Sequence, residues 1–530
     1  MQPEQAPPVS TSTQTRRTIA LAVGGIVLAT LLLGVALRLT LGGASSSSLA
    51  IASGPSALPS HPASPTADPA TLASASASAS PTASTASSTP AASAKPASTA
   101  RFPLKGSGYD VGPLSGAEVG MVPGPDGGLY VSVPQHNGAV VTLLGADGLP
   151  RSGWPVELHD VDSCRSLRGA ADGSIRLLCL LLPVGEAMDP VAARVYAFDP
   201  MGRMMAGWPL ETEIPVADRM VGDDLWLMVE PPNGDESAPA SIHMVRIRAD
   251  GTLDQGVATT VDSGDDAFAI GPDGVGYHAR HYGWSRSDLA DVTSEVAAFD
   301  LTGMRSGWPA TIKGNASTFA FDASGLVYLV VGSPSTRPAR TVVLDKNGRV
   351  LPNGSAGMPV TSSATWDGAG GEVPGPPIVA DDGRAYIVDT QGGHTRVVGL
   401  SPGGDPLTGW PYTSSIGMGW TGFCGEGDTG CGHVRTMPAV GKGGFLYLVR
   451  APSSRSTGGS LVVIGPDGKV RSGWPVGLKR AGSMFWSLTV DPRGGVWALA
   501  IEPERKGASA TILSIAEDST IRWGTTILQP

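Results

Sequence analysis

The apolar positions of this 530-residue chain follow two different patterns. Near the start, Thr18–Leu37 runs twenty residues without a charge (TIALAVGGIVLATLLLGVAL), with Arg16-Arg17 before it and Arg38 after it. As a helix rising about 1.5 Å per residue, it matches a hydrocarbon layer of roughly 30 Å. From Val111 onward the apolar residues come instead in short runs split by Asp-Gly or Gly-Gly turns. Examples are VGMVPGPDGGLYVSV (Val119–Val133), FAIGPDGVGYHA (Phe268–Ala279), FAFDASGLVYLVV (Phe319–Val331) and LTVDPRGGVWALAI (Leu488–Ile501). Short runs divided by such turns predict strand–turn–strand hairpins.

The hairpins belong to a repeat. One phrase recurs at Gly153-Trp154-Pro155, Gly207-Trp208-Pro209, Gly307-Trp308-Pro309, Gly409-Trp410-Pro411 and Gly473-Trp474-Pro475, each after an apolar run and a turn. With the earlier hairpin this makes two hairpins, hence four strands, per unit. A period of about 50 residues with four strands predicts the blades of a β-propeller. First-hairpin turns centre near Asp126, Asp172, Asp223, Asp273, Ser324, Asp382, Gly443 and Arg493, the third (MVGDDLWLMV) being the weakest. The expected fold is therefore all-β, an eight-bladed β-propeller, with seven blades as the alternative. Two units replace the phrase, with Gly357-Met358-Pro359 and with LDQGVATT (Leu253–Thr260), and the last has Arg522-Trp523-Gly524.

Units such as GPPIVADDGRAYIVDTQGGHTRVVGLSPGGDPLTGW (Gly375–Trp410) resemble the pyrroloquinoline-quinone-type (PQQ-like) propeller repeat. The likeness covers nearly all of Val111–Pro530 and speaks to fold more than to function. It implies that Trp154, Trp208, Trp308, Trp410, Trp474 and Trp523 pack against neighbouring blades; a sugar- or peptide-stacking role is the rival reading. Quinoprotein enzymes of that family carry adjacent cysteines beside the cofactor. This sequence has none, so no cofactor is expected. Ring closure stays open. Arg101-Phe102-Pro103-Leu104 resembles a degraded tryptophan phrase and would supply an outer strand for the last blade. The segment Ile521–Leu528 would fill the same position.

Four segments result: a short cytoplasmic tail (1–17), a transmembrane anchor (18–41), a Ser/Ala/Thr/Pro-rich stalk (42–100) and the propeller (101–530). The stalk buries too little apolar surface to offset chain entropy and is expected to stay disordered. Arg16 and Arg17 against Arg38 orient the chain with its amino end inside and the propeller outside the cytoplasm. A cleaved signal peptide is the alternative, and Thr15–Ile19 matches a twin-arginine signal weakly. Composition then takes two meanings. The 72 glycines and 45 prolines divide between turns and stalk, and the low charge belongs to the anchor and stalk. Residues 101–530 hold 33 basic and 45 acidic side chains, a net charge of −12, which excludes nucleic acid as a partner. The chain also lacks the long heptads of a coiled coil.

In an up–down blade both hairpin turns lie on one face, and the remaining connections lie on the other. The first set is monotonous (PDG, ADG, DDG); the second varies, and variable loops on a rigid scaffold are where binding sites collect. Three segments supply candidates. Thr413–Thr436 carries Trp420, Phe423, Glu426, Asp428 and His433. Thr361–Pro377 carries Trp366, Asp367 and Glu372, and Arg280–Ser294 carries His281, Tyr282, Trp284 and Arg286. Loops packing on one another are the plain alternative. Charges near the inner strands suggest a two-signed channel mouth. Glu118, Asp160, Asp162, Asp218, Asp265 and Asp266 stand against Lys313, Arg435, Lys479 and Arg480, with solvated rim charges the simpler reading.

The four cysteines form two local pairs, Cys164 with Cys179 and Cys424 with Cys431, expected as disulfides outside the cytoplasm. Zinc is the alternative, but neither pair has CxxC spacing and only His433 sits near a pair, so no metal is expected. His278 and His281 fall on opposite faces of a strand. No DxDxDG loop, GxSxG, HExxH or phosphate-cradling loop occurs, and no catalytic residue is assigned. The expected function is a membrane-anchored binding module for a protein or an envelope glycan or peptide. A propeller enzyme (quinone-dependent dehydrogenase or hydrolase) and an envelope-assembly scaffold are the alternatives.

Overall fold

In the computed structural model the described residues are 104–105 and 119–529. Left out are 136–137, 160, 162, 182–191, 230–239, 262–266, 281–292, 334–336, 352–376, 392–393, 416–419, 422–433, 436–437, 451–457 and 505–506. All described residues lie within the unit Ala92–Pro530. The anchor and stalk expected over 18–100 fall outside them. Among the described residues no helix is long and apolar enough to cross a membrane.

Antiparallel sheets follow one another along the chain, each pairing its strands in sequence order. Blade one comprises Gly120–Pro123, Leu129–Gln135, Gly138–Leu144 and Val156–His159. Blade two comprises Ser163–Gly169, Ile175–Leu181, Ala192–Phe198 and Leu210–Thr212. Blade three has Pro215–Val221, Asp224–Val229 and Ala240–Ile247, with an outer strand split into Leu253–Gln255 and Thr259–Val261. Blade four has Ala267–Ile270, Gly276–Ala279 and Thr293–Asp300, with its outer strand split into Gly303–Met304 and Ala310–Lys313. Blade five has Asn315–Phe321, Val327–Ser333 and Arg337–Leu344, and the bridge Leu344–Val350 begins its fourth position. Blade six comprises Ile378–Val379, Ala385–Gln391, His394–Leu400 and Tyr412–Ser414. Blade seven comprises Ala439–Gly441, Phe445–Arg450, Ser460–Ile464 and Val476–Gly477. Blade eight comprises Met484–Val490, Val496–Glu504, Gly507–Ile515 and Ile521–Gln529. The described residues form an all-β, eight-bladed propeller.

The tight turns are specified locally. In the third-to-fourth turn of blade one, Gly148 takes φ 79°, which L side chains rarely adopt, and the Asp147 carboxylate accepts the Leu149 N–H at 3.1 Å. The same Asp geometry recurs at Asp199, Asp345 and Asp467.

Burial then joins the blades. Each apolar cluster draws from two neighbouring blades. One such cluster unites Met121, Leu129 and Val131 of blade one with Trp497, Leu499 and Ile512 of blade eight, closing the ring. Both closure candidates are used. Ile521–Gln529 is the fourth strand of blade eight, and Leu104–Lys105 pairs outside it, parallel to Leu528–Gln529.

Two rings of polar contacts reinforce this burial. The phrase tryptophans precede cis peptide bonds to their prolines, and Trp154, Trp208, Trp308 and Trp474 are each buried to 7% exposure. The indole N–H donates to a carbonyl in the next blade's third-to-fourth turn. The pairs are Trp154 to Pro200 (3.0 Å), Trp308 to Lys346 (3.3 Å), Trp410 to Pro466 (3.1 Å), Trp474 to Glu517 (3.1 Å) and Trp523 to Ala146 (2.9 Å). Trp208 breaks the pattern: its N–H has no acceptor, and Arg176 lies 5.0 Å over its ring. The second ring uses tyrosines of the second strands. Tyr130, Tyr328 and Tyr386 donate to the carbonyls of Gly173, Gly383 and Gly444 in the following blade. Burial pushes these phenols up, Tyr328 and Tyr447 to about 12.

Candidate functional site

The strand order puts all first-to-second and third-to-fourth turns on one face and every other connection on the opposite face. The first face is closed by its own hydrogen bonds. Gly145, Asp199, Asp345 and Gly465 each start a turn bonded back across it. Apart from 352–376, which follows the third-to-fourth turn of blade five, the segments left out between 119 and 529 connect strand ends on the second face, where the sequence also departs from its repeat.

Around the channel, the inner strands of blades two, three, five and eight carry register shifts near their second-face ends. These occur between Cys164/Ser166, Pro215/Ala217, Ala316/Thr318 and Phe485/Ser487. A bulge places one extra residue opposite its partner strand and re-aims a side chain. The extra residues here are Arg165, Val216, Ser317 and Trp486. Arg165 and Val216 face solvent, whereas Trp486 is buried.

The charges expected at the mouth sort themselves by partner. Asp218 lies inside the inner strand of blade three rather than before it, and its carboxylate accepts Arg168 Nε and Ser166 Oγ of blade two, both at 2.7 Å. With its side chain 15% exposed, Asp218 ties two blades together instead of standing free. Its neighbour Arg219 reaches the other way and donates to the Ile270 carbonyl of blade four at 3.2 Å. Burial, with Arg168 nearby, pushes the Arg219 guanidinium down. Lys479 is exposed between blades seven and eight. The adjacent Arg480 holds the Glu504 carboxylate in a two-pronged pair, which lowers the glutamate and raises the arginine. Lys313 ends the outer strand of blade four, two residues before the inner strand of blade five begins at Asn315, and is exposed.

The longest candidate loop is tied at its neck. Trp420–Thr421 pairs antiparallel with Val434–Arg435, setting Trp420 opposite Arg435. Phe423, Glu426, Asp428, His433, Cys424 and Cys431 lie outside the described residues, as do Trp366, Asp367, Glu372, His281, Tyr282, Trp284 and Arg286. So do Glu118, Asp160, Asp162, Asp265 and Asp266. Cys164 and Cys179 form a disulfide between directly opposed residues of blade two's first and second strands, with Cα atoms 3.8 Å apart. His278 is buried in blade four and stacks on Phe268 at 5.1 Å. Among the described residues no group of three His, Cys, Asp or Glu is placed to hold a metal ion.

The Arg168–Asp218 tie and the tyrosine ring have no local signature. Each joins residues some fifty positions apart in adjacent blades, so only the period, applied residue by residue, would have revealed them.

No family model matches the chain, and no curated protein matches it. Solved structures do. Prolyl oligopeptidase B from Galerina marginata, bound to a 25mer macrocyclization substrate, shares 11% identity over 76% of this chain at a TM-score of 0.40. This chain spans 55% of that protein's length. The β-propeller domain of the Trilobed protease from Pyrococcus furiosus shares 7% identity over 76% of this chain and 94% of its own, with a TM-score of 0.36. A protein from Lactobacillus plantarum shares 10% identity over 67% of this chain and 98% of its own, with a TM-score of 0.38. These are likenesses of fold and carry nothing further about the site.

Proposed function

We propose that the chain is a binding module of the PQQ-like repeat type, anchored in the membrane through residues 18–41 and holding its propeller outside the cytoplasm. Its ligand is a protein or an envelope glycan or peptide, taken by the non-repeating face. The carrying observation is the division between faces. Repeated Asp-Gly turns and tryptophan contacts use up one face, while bulged inner strands, exposed Arg165 and Lys479, and the neck pairing Trp420 with Arg435 all belong to the other. A rigid ring presenting irregular loops on one side suits recognition. The Cys164–Cys179 disulfide supports an oxidising compartment.

Shortening the loop beyond its Trp420–Arg435 neck, with residues 422–433 replaced by a two-residue Asn-Gly turn, tests the reading. The full chain so altered is expected to keep its unfolding temperature and to lose at least tenfold in affinity for its envelope ligand by co-purification from crosslinked membranes. Retained affinity in a folded variant removes this loop from the site.

A further inference from the structure

The outer strands do not all carry an aliphatic residue at the same register position. Opposite Ala139 and Ser294 of the third strands, and Gly459 just before one, blades one, four and seven place Leu158, Ile312 and Leu478. The first two are buried to 6% and 3% and the third is partly buried, so each fills the gap toward the following blade. Blades two and six put Thr212 and Ser414 at that position, opposite Ala193 and Thr395. Beside Thr212 a groove of about 340 Å³ opens between blades two and three, within the size range of small-ligand sites.

Its lining is chemically one-sided. Glu211, Glu213, His243 and Gln255 stand around an aliphatic floor of Ala192, Val245 and Leu253. Glu211 already accepts Arg194. Among the described residues the Glu213 carboxylate, 45% exposed, has only the His243 imidazole, 3.8 Å away and beyond hydrogen-bond length, while the His243 side chain is 11% exposed. Among the described residues that line it none is a lysine or arginine, and the cation bordering it, Arg194, is held by Glu211. An acceptor at one end and an apolar floor fit a cation carried on a short chain of methylenes.

We propose that this groove binds an alkylammonium group, the chemistry shared by a lysine side chain and a free diamine. The site lies between outer strands, with Glu213 in the short connection from blade two to blade three.

Calorimetric titration of the detergent-solubilised full chain with Nα-acetyl-lysine amide and with 1,4-diaminobutane tests it. Nα,Nε-diacetyl-lysine amide serves as the uncharged control. At least one amine is expected to bind saturably, with a dissociation constant on the order of 1 mM, and the control not at all. Stronger binding of capped lysine assigns the site to a peptide partner, and stronger binding of the diamine to a free small molecule. Glu213→Gln is expected to weaken binding at least tenfold. Thr212→Leu, which places an aliphatic side chain there, is expected to abolish binding without lowering the unfolding temperature, so a folded variant remains even if the first fails to fold. Absence of saturable binding by both amines, equal binding of the control, or unchanged affinity in folded Thr212→Leu overturns the proposal.

Discussion

Trp154→Ala is expected to lower the stability of the propeller by about 4 kcal/mol, the scale for deleting a buried tryptophan. The side chain is 7% exposed and sits edge-on to Tyr130 at 5.4 Å and Phe198 at 6.2 Å, across the boundary between blades one and two. Its N–H is bonded to the Pro200 carbonyl. Phenylalanine substitutions separate burial from the hydrogen bond. Trp154→Phe loses both some area and the bond, leaving the Pro200 carbonyl without that donor. Trp208→Phe loses similar area but no bond, because the Trp208 N–H has no acceptor. Urea unfolding is therefore expected to place Trp154→Phe about 1 kcal/mol below Trp208→Phe. Equal losses would show that the indole bonds add nothing to the packing.

Raising the pH above about 10 is expected to unfold the ring cooperatively. In an unfolded chain tyrosine ionises near 10. In the propeller, burial pushes Tyr328 and Tyr447 up to about 12, and Tyr130, Tyr277 and Tyr386 are also raised. A raised folded value means that the stability from these phenols is complete below pH 10. It is lost as pH climbs toward 12, at about 1.4 kcal/mol per unit for each group. Tyr328 and Tyr447, 0% and 1% exposed, account together for about 5 kcal/mol over that interval. Phenolate absorbance followed beside far-ultraviolet circular dichroism is expected to show these tyrosines ionising in step with loss of strand signal. Tyr328→Phe is expected to cost about 1 kcal/mol near neutrality, where its bond to Gly383 is lost, and to flatten the decline above pH 10. Phenolates appearing near pH 10 with the strand signal intact would contradict the burial account.

The blades were legible because each carries its own turn chemistry. The turn centres Asp126, Asp172, Asp223, Asp273, Ser324, Asp382, Gly443 and Arg493 all fall between or beside the first and second strands of successive blades. Contacts between blades were less so. Asp218 reads as a loop charge along the chain, yet the inner strand of blade three carries it to Arg168 of blade two. Thr212 is unremarkable until it is set in register with Leu158, Ile312 and Leu478. Closure was undecidable in sequence because two segments suited one edge, and the ring uses both, one antiparallel and one parallel. Of the channel-mouth charges named in sequence, Asp218, Lys313, Lys479 and Arg480 are described with their side chains. Trp420 and Arg435 are placed by strand pairing. Loop residues such as Trp366, Phe423 and Tyr282 belong to no repeat, so no periodicity assigns them a register.

The division between faces is tested most directly by site-specific photo-crosslinking of the full chain in its own membrane. Lys479 on the second face and Lys469 on the turn face are both exposed and lie only ten residues apart, so p-benzoylphenylalanine at either position samples one face alone. Crosslinks to a macromolecule from position 479 and none from position 469 are the predicted result. The reverse pattern, or equal yields from both, would contradict the assignment of binding to the non-repeating face.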